Sequence, residues 1–165
     1  MDHAFVHVTN RGNNRAAIFL DAVDYVSFIR MLEEVQSARG WLRHAYCLIP
    51  NHYHLLLELP ETDLGAGMHL LNGRYARRFN ARHGRVGHVF QGPYRVTPVT
   101  DDVHLLEACR YIVMNPVRAG LCAHPGEWPW SSYGDEPTDL VRALLGDAES
   151  LEAFVLAGGE RLLPG

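Results

Sequence analysis

Apolar and other residues alternate from His3 to Asn10, with Ala4, Val6 and Val8 set against Phe5, His7 and Thr9, until Gly12-Asn13-Asn14 breaks the run. This pattern predicts a strand followed by a loop. Asp21 is placed to cap a helix with acidic Asp24 in its first turn, and Tyr25, Phe28, Ile29, Leu32 and Val35 recur at three-and-four spacing until Gly40 closes it. Trp41 to Ile49 and His52 to Leu59 are β-rich runs separated by Pro50-Asn51, the pattern of an antiparallel hairpin. Thr62 or Asp63 then opens a second helix whose inner stripe is Leu64, Met68, Leu71, Tyr75 and Phe79, and Gly84 ends it.

Two short β-type segments follow, Gly87 to Gln91 and Tyr94 to Val99, around Gly92-Pro93. A third helix starts near Thr100 or Asp101 and must end by Asn115, because the residue before a proline is driven out of the α region. The order β-α-β-β-α-β, then another short strand and a helix, predicts an α+β fold, a ferredoxin-like sandwich with both main helices on one sheet face. After Leu121 the chain becomes rich in Pro and Trp (Pro125, Trp128, Pro129, Trp130), and acidic, helical material is expected up to Gly165.

Composition narrows the class. With 165 residues, 47% of them hydrophobic, the chain fits one domain with its own core. Its apolar runs fall far short of the roughly 20 residues of a membrane span, and the Met1-Asp2-His3 start lacks a signal peptide's basic region. A cytoplasmic protein without a membrane partner is expected. Cys47, Cys109 and Cys122 form no C-x-x-C pair, so neither a disulfide framework nor a thiolate zinc site is indicated.

The net charge of −4 is unevenly spread. From Leu64 to Thr100 there are six arginines, Arg74, Arg77, Arg78, Arg82, Arg85 and Arg95, and no acidic residue, so this stretch carries +6 and the remainder −10. These arginines are candidates for phosphate contact, set against an ordinary solvated helix face.

The strongest chemical signal is His52-Tyr53-His54 within the second half of the predicted hairpin. Residues two apart on a strand project to one face about 6.5 to 7 Å apart, close enough for two imidazoles to converge on one ion. Taken alone, the pair also fits half-exposed strand residues in a chain with ten histidines. In the third helix, Leu105, Leu106, Cys109, Ile112 and Val113 form the apolar stripe, and Tyr111 falls off it in line with Glu107 and Asn115. A nucleophile would then sit beside a possible ligand. A snorkelling tyrosine and an asparagine C-cap before Pro116 would give the same pattern.

Four blocks carry a resemblance: H-V-T-N-R-G-N-N-R near the start, Y-C-L-I-P-N-H-Y-H-L-L-L-E, G-R-V-G-H-V-F-Q-G at Gly84 to Gly92, and R-Y-I-V-M-N-P-V-R-A-G-L at Arg110 to Leu121. Together they resemble the REP-associated tyrosine transposases of the single-tyrosine HUH transposase superfamily. The resemblance implies a catalytic domain over residues 1–133, extended by residues 134–165, with an additional C-terminal catalytic helix beyond the ferredoxin-like core. It implies cleavage and rejoining of single-stranded DNA near hairpins through a 5′-phosphotyrosine, with Tyr111 as nucleophile and His52, His54 and Asn115 as metal ligands. Asn115 stands where relatives often have glutamine, and Pro93 where a basic residue is more usual. Imidazole ligands alone favour zinc, while Mg²⁺ or Mn²⁺ is expected where DNA completes the shell. The partner is hairpin-bearing single-stranded DNA, bound by a monomer or homodimer. Two other readings are a two-histidine metallohydrolase and a non-catalytic single-strand binder that stacks bases on Phe5, Tyr46, Tyr53, Phe90 and Tyr94.

Overall fold

The computed structural model describes residues 3–60, 64–146 and 150–158. Its elements are β1 (Ala4–Arg11), α1 (Ala22–Arg39), β2 (Leu42–Ile49), β3 (His52–Leu59), α2 (Leu64–His83), β4 (Arg95–Val99), α3 (Asp102–Val113), α4 (Asn115–Arg118), α5 (Asp139–Leu145) and α6 (Leu151–Ala157). The four strands form one sheet in the order β2-β3-β1-β4, every neighbouring pair antiparallel. This is the α+β, ferredoxin-like arrangement expected from the sequence, with β1 and β3 in the centre.

Local signals explain most boundaries. Asp21 accepts from the Asp24 amide at the start of α1, and Gly40 ends that helix at φ 66°, a conformation glycine adopts without a Cβ clash. Gly84 ends α2 in the same left-handed region. The proposed cap of α2 at Thr62 or Asp63 lies outside the described residues. Pro98 removes a backbone donor, which β4 tolerates because it is an edge strand.

The sheet is covered on both faces. One face packs Val6, Val8, Tyr53, Leu55 and Leu57 against Phe28, Leu32 and Val35 of α1 and Met68, Leu71, Tyr75 and Phe79 of α2. The other packs Ala45, Cys47, Ile49 and Leu56 against Leu105, Ala108, Cys109 and Ile112 of α3, with Val141 of α5 joining them. Burial on both sides accounts for the unbroken Leu55-Leu56-Leu57 run in β3.

One expected element does not form. Of Gly87 to Gln91, only Phe90 makes a bridge, to Gly12, and a single strand, β4, follows α2. Residues 85–88 are exposed and join no strand ladder; the Gly87 carbonyl instead accepts from the Asn80 side chain. Among the described residues no helix is long and apolar enough to cross a membrane.

Candidate functional site

The site forms on the α3 face of the sheet, where the register places specific side chains. In the central pair, Thr9 lies opposite His54 and Arg11 opposite His52, while on the other side of β1 Thr9 faces Arg95. Strand alternation therefore brings His7, Thr9, Arg11, His52, His54 and Arg95 to one surface. The turn after β1 is held tightly: a Cβ on Gly12 would meet the Ala16 carbonyl oxygen at 2.0 Å, so only glycine fits. The Gln91 amide donates to the Arg11 carbonyl at 2.8 Å and draws the 91–93 loop up as a wall.

The helical side comes from α3 and α4. α3 ends at Val113, and the chain restarts at Asn115 with Pro116 in the first turn of α4, where its missing N–H removes no helical bond. α3 does end before Pro116, as expected, but Asn115 is itself the first residue of α4, so the proline does not drive its neighbour out of helix as the sequence reasoning supposed. Asn115 is not a terminal cap facing water: it is 7% exposed and directed at the histidines. The resulting open pocket of about 390 Å³ is lined by Arg11, His52, His54, Arg95, Tyr111 and Asn115, among others.

Hydrogen bonds fix how the imidazoles face the pocket. Nδ1 of His52 lies 2.7 Å from Oδ1 of Asn51, an acceptor, so Nδ1 carries the proton and Nε2 keeps its lone pair. The Asn115 amide nitrogen donates to Nε2 of His54 at 3.0 Å, which leaves the His54 proton on Nδ1. That Nδ1–H donates to Nε2 of His7 at 3.0 Å. Asn115 also hydrogen-bonds His52.

The rings of His52 and His54 lie 5.0 Å apart, and the Tyr111 ring lies 5.8 Å from His54 and 5.9 Å from His7, edge to face in both cases. Arg118 of α4 sits 4.1 Å above the Tyr111 ring.

Burial keeps the histidines neutral. Desolvation, with the charge of His104 adding to it, lowers the pKa of His7 to about 4; desolvation and then Arg11 lower that of His52 to about 4. His54 is held well below its usual value by desolvation first and by His7 and His52 next. Between pH 6.5 and about 4 the unfolded chain therefore binds protons that the folded histidines refuse, and stability present above pH 6.5 is lost as the pH falls through this window. The melting temperature is expected to be clearly lower at pH 5 than at pH 7, measured by calorimetry, and a flat profile would contradict the burial argument.

Neutral imidazoles are what a metal needs. Among the described residues no three His, Cys, Asp or Glu side chains gather as a complete metal cage. The donors that do converge are Nε2 of His52, Nε2 of His54 and, after rotation of its amide, Oδ1 of Asn115. Such a set can take a divalent ion while leaving coordination positions for phosphate oxygens and water.

The structure thus brings together His52, His54, Tyr111, Asn115 and Arg95. It does not bring the α2 arginines to this surface, because α2 covers the opposite sheet face. The basic stretch, which holds no acidic residue of its own, finds acidic partners on and at the start of α1. Arg74 pairs with Glu34 at 2.8 Å, and Arg82 pairs with Asp21 at 2.7 Å and Asp24 at 2.9 Å. Arg78 donates to Ser27, and Arg85 lies over the Phe79 ring. Glu107 turns away from Tyr111 to pair with Arg110 at 2.6 Å. Of the aromatic platforms considered, Tyr46 and Tyr53 are core residues, 7% and 0% exposed. Sequence reasoning missed His7, Arg11 and Arg118. Their shared signal was the off-core phase of their elements, which marks a surface without naming its partners.

A family model described as "Transposase IS200 like" matches residues 1–115, well over half of the chain. The chain belongs to the IS200-like transposase family. A Haemophilus influenzae protein named for the REP-associated tyrosine transposases is 29% identical to this IS200-like chain over 100 residues, covering 54% of this chain and 57% of the relative. The match thus spans little more than half of that relative's length. Among solved structures, a REP-associated tyrosine transposase bound to a REP hairpin matches with a TM-score of 0.67 at 21% identity, over 98% of this chain and 93% of that one. A crystal structure of a Deinococcus radiodurans protein described as a transposase matches with a TM-score of 0.51 at 20% identity, over 70% and 92%. At these identities the two structural likenesses establish the fold.

Proposed function

We propose that this IS200-like transposase chain cuts and rejoins single-stranded DNA beside hairpins, through a phosphotyrosine at Tyr111, with His52, His54 and Asn115 holding Mg²⁺ or Mn²⁺. The observation that carries this reading is the convergence of one half-exposed tyrosine with two neutral imidazoles and a buried amide in a single open pocket. When bound, the ion supplies positive charge against a non-bridging phosphate oxygen and favours loss of the tyrosine proton.

The chain's own residues supply the rest. The Tyr111 phenol gives up its proton to water and attacks phosphorus in line. The Tyr111 O–P bond forms, the P–O3′ bond breaks, and the departing 3′ oxygen takes up a proton. A free 3′-hydroxyl and a 5′-phosphotyrosine result, and because the phosphodiester energy is conserved, attack by a 3′-hydroxyl on that linkage rejoins DNA without a nucleotide cofactor. Arg118 over the tyrosine ring restrains it and adds local positive charge. Incubating the protein with single-stranded hairpins and Mn²⁺ and resolving the products on a denaturing gel tests this reading: cleavage with a covalent protein–DNA band is expected. Cleavage without that band would instead favour hydrolysis by water.

Phosphate contacts nearest the chemistry are assigned to Arg11 and Arg95, which line the pocket and have no carboxylate partner among the described residues. Arg77, Arg78 and Arg85 are left for DNA that extends past the pocket, whereas Arg74 and Arg82 are committed to α1. Each phosphate neutralised on a single strand contributes about 0.7 to the slope of log affinity against log salt. Replacing Arg11 and Arg95 by glutamine is expected to lower that slope by about 1.4, read by fluorescence anisotropy across a salt series. An unchanged slope would move the DNA path to Arg77 and Arg78.

A further inference from the structure

The histidine of β1 is unexplained by folding. His7 projects to the α3 face of the sheet between Phe5 and Thr9, where an aliphatic residue would pack against α3 without burying a polar ring. Instead its Nε2 lies 3.0 Å from Nδ1 of His54, with the two ring centroids 5.2 Å apart, and its ring edge meets Tyr111 at 5.9 Å. Its ring thus touches both a proposed ligand and the proposed nucleophile.

We infer that His7 is a positioning residue that fixes the tautomer and orientation of His54, so that the Nε2 lone pair of His54 faces the pocket. The inference rests on the metal reading given above and assigns a role to a residue that this reading leaves without one. The physical argument is the direction of the hydrogen-bond chain. A neutral imidazole has one donor and one acceptor nitrogen, and a ligand nitrogen must be the acceptor. An acceptor facing Nδ1 of His54 therefore stabilises the ligating tautomer, and Nε2 of His7 is that acceptor. Partners of this kind orient metal-binding histidines, and their loss typically weakens binding by about 10- to 100-fold.

Asn51 performs the same service for His52 through its side-chain oxygen. The two proposed imidazole ligands are thus oriented from opposite sides, one by a neighbour in sequence and one across the sheet.

Two measurements test the assignment. In the metal-free wild-type protein, ¹⁵N–¹H correlation of the imidazoles is expected to report His54 as the Nδ1–H tautomer; an Nε2–H tautomer overturns the inference without any variant. The second is the Mn²⁺ dissociation constant from the electron paramagnetic resonance signal of free Mn²⁺, for wild type, His52→Ala, His7→Phe and His7→Gln. His7→Phe keeps a ring beside Tyr111 but offers no acceptor, so affinity should fall about 10- to 100-fold. His7→Gln retains an acceptor oxygen and should recover most of it. With His7→Phe, cleavage at saturating Mn²⁺ should approach the wild-type rate, whereas loss of the fold would depress it at every concentration. Wild-type affinity in His7→Phe, with His52→Ala impaired, overturns this inference and leaves the metal reading standing. Equal, negligible binding by wild type and His52→Ala overturns both.

Discussion

A Tyr111→Phe variant is expected to melt at the wild-type temperature, bind hairpin DNA with unchanged affinity, and yield no covalent adduct above background. The substitution removes one oxygen and leaves the ring, which makes the contacts with His7, His54 and Arg118. The hydroxyl has no recorded hydrogen-bond partner among the described residues, so its loss strands no buried group. Three of the other six tyrosines are shut away from the pocket. Tyr75 is 1% exposed on the far side of the sheet, donates to the Ile18 carbonyl, and has its ionisation pushed up by burial. Tyr53 is equally enclosed and donates to Asn72 at 2.6 Å. Tyr46 belongs to the same core, and its ionisation is also raised by burial. Denaturing gels of wild type and variant with the same labelled hairpin decide the matter. A persisting adduct would place the nucleophile outside the pocket described.

What the sequence made legible follows from the range of the interactions concerned. The α1 boundaries were readable because Asp21 and Gly40 act within a turn of the elements they bound. His52 and His54 were readable as a pair because strand periodicity alone puts them on one face. His7 was not, since its partnership with His54 depends on the β1–β3 register, which pairs residues 41 to 55 positions apart. The basic helix misled for the same reason. Its own stretch holds no carboxylate, yet α1 supplies Asp21, Asp24 and Glu34 across the helix pair, and Arg82 meets an acid 61 residues away. Absence of charge partners nearby in sequence says little about partners in space. Asn115 was located but its burial was not legible, because an Asn-Pro pair fits a water-facing cap equally well.

Removing either proposed imidazole ligand is expected to abolish cleavage, but the two variants should differ in stability, and that difference separates chemistry from folding. Truncating a ligand at an exposed site costs little beyond the ligand itself. His52 fits this: it is partly exposed and its Nδ1 bonds to Asn51, whose side chain stays near water. His52→Ala should therefore lose Mn²⁺-dependent cleavage with little change in melting temperature. His54 is 6% exposed and joins Asn115 to His7. His54→Ala leaves a void and deprives the Asn115 amide of its acceptor and His7 of its donor. Leaving a buried polar group unpaired costs about 1–3 kcal/mol, roughly 2–12 °C for a chain of this size. Below pH 6 that penalty shrinks, because the variant no longer contains a buried imidazole that resists protonation in the folded state. Calorimetry at pH 7 and pH 5 beside a cleavage assay reads both effects. Wild-type cleavage by either variant with added Mn²⁺ would refute the ligand assignment, while an unchanged melting temperature for His54→Ala at pH 7 would mean that the His7–His54–Asn115 chain contributes nothing to the fold.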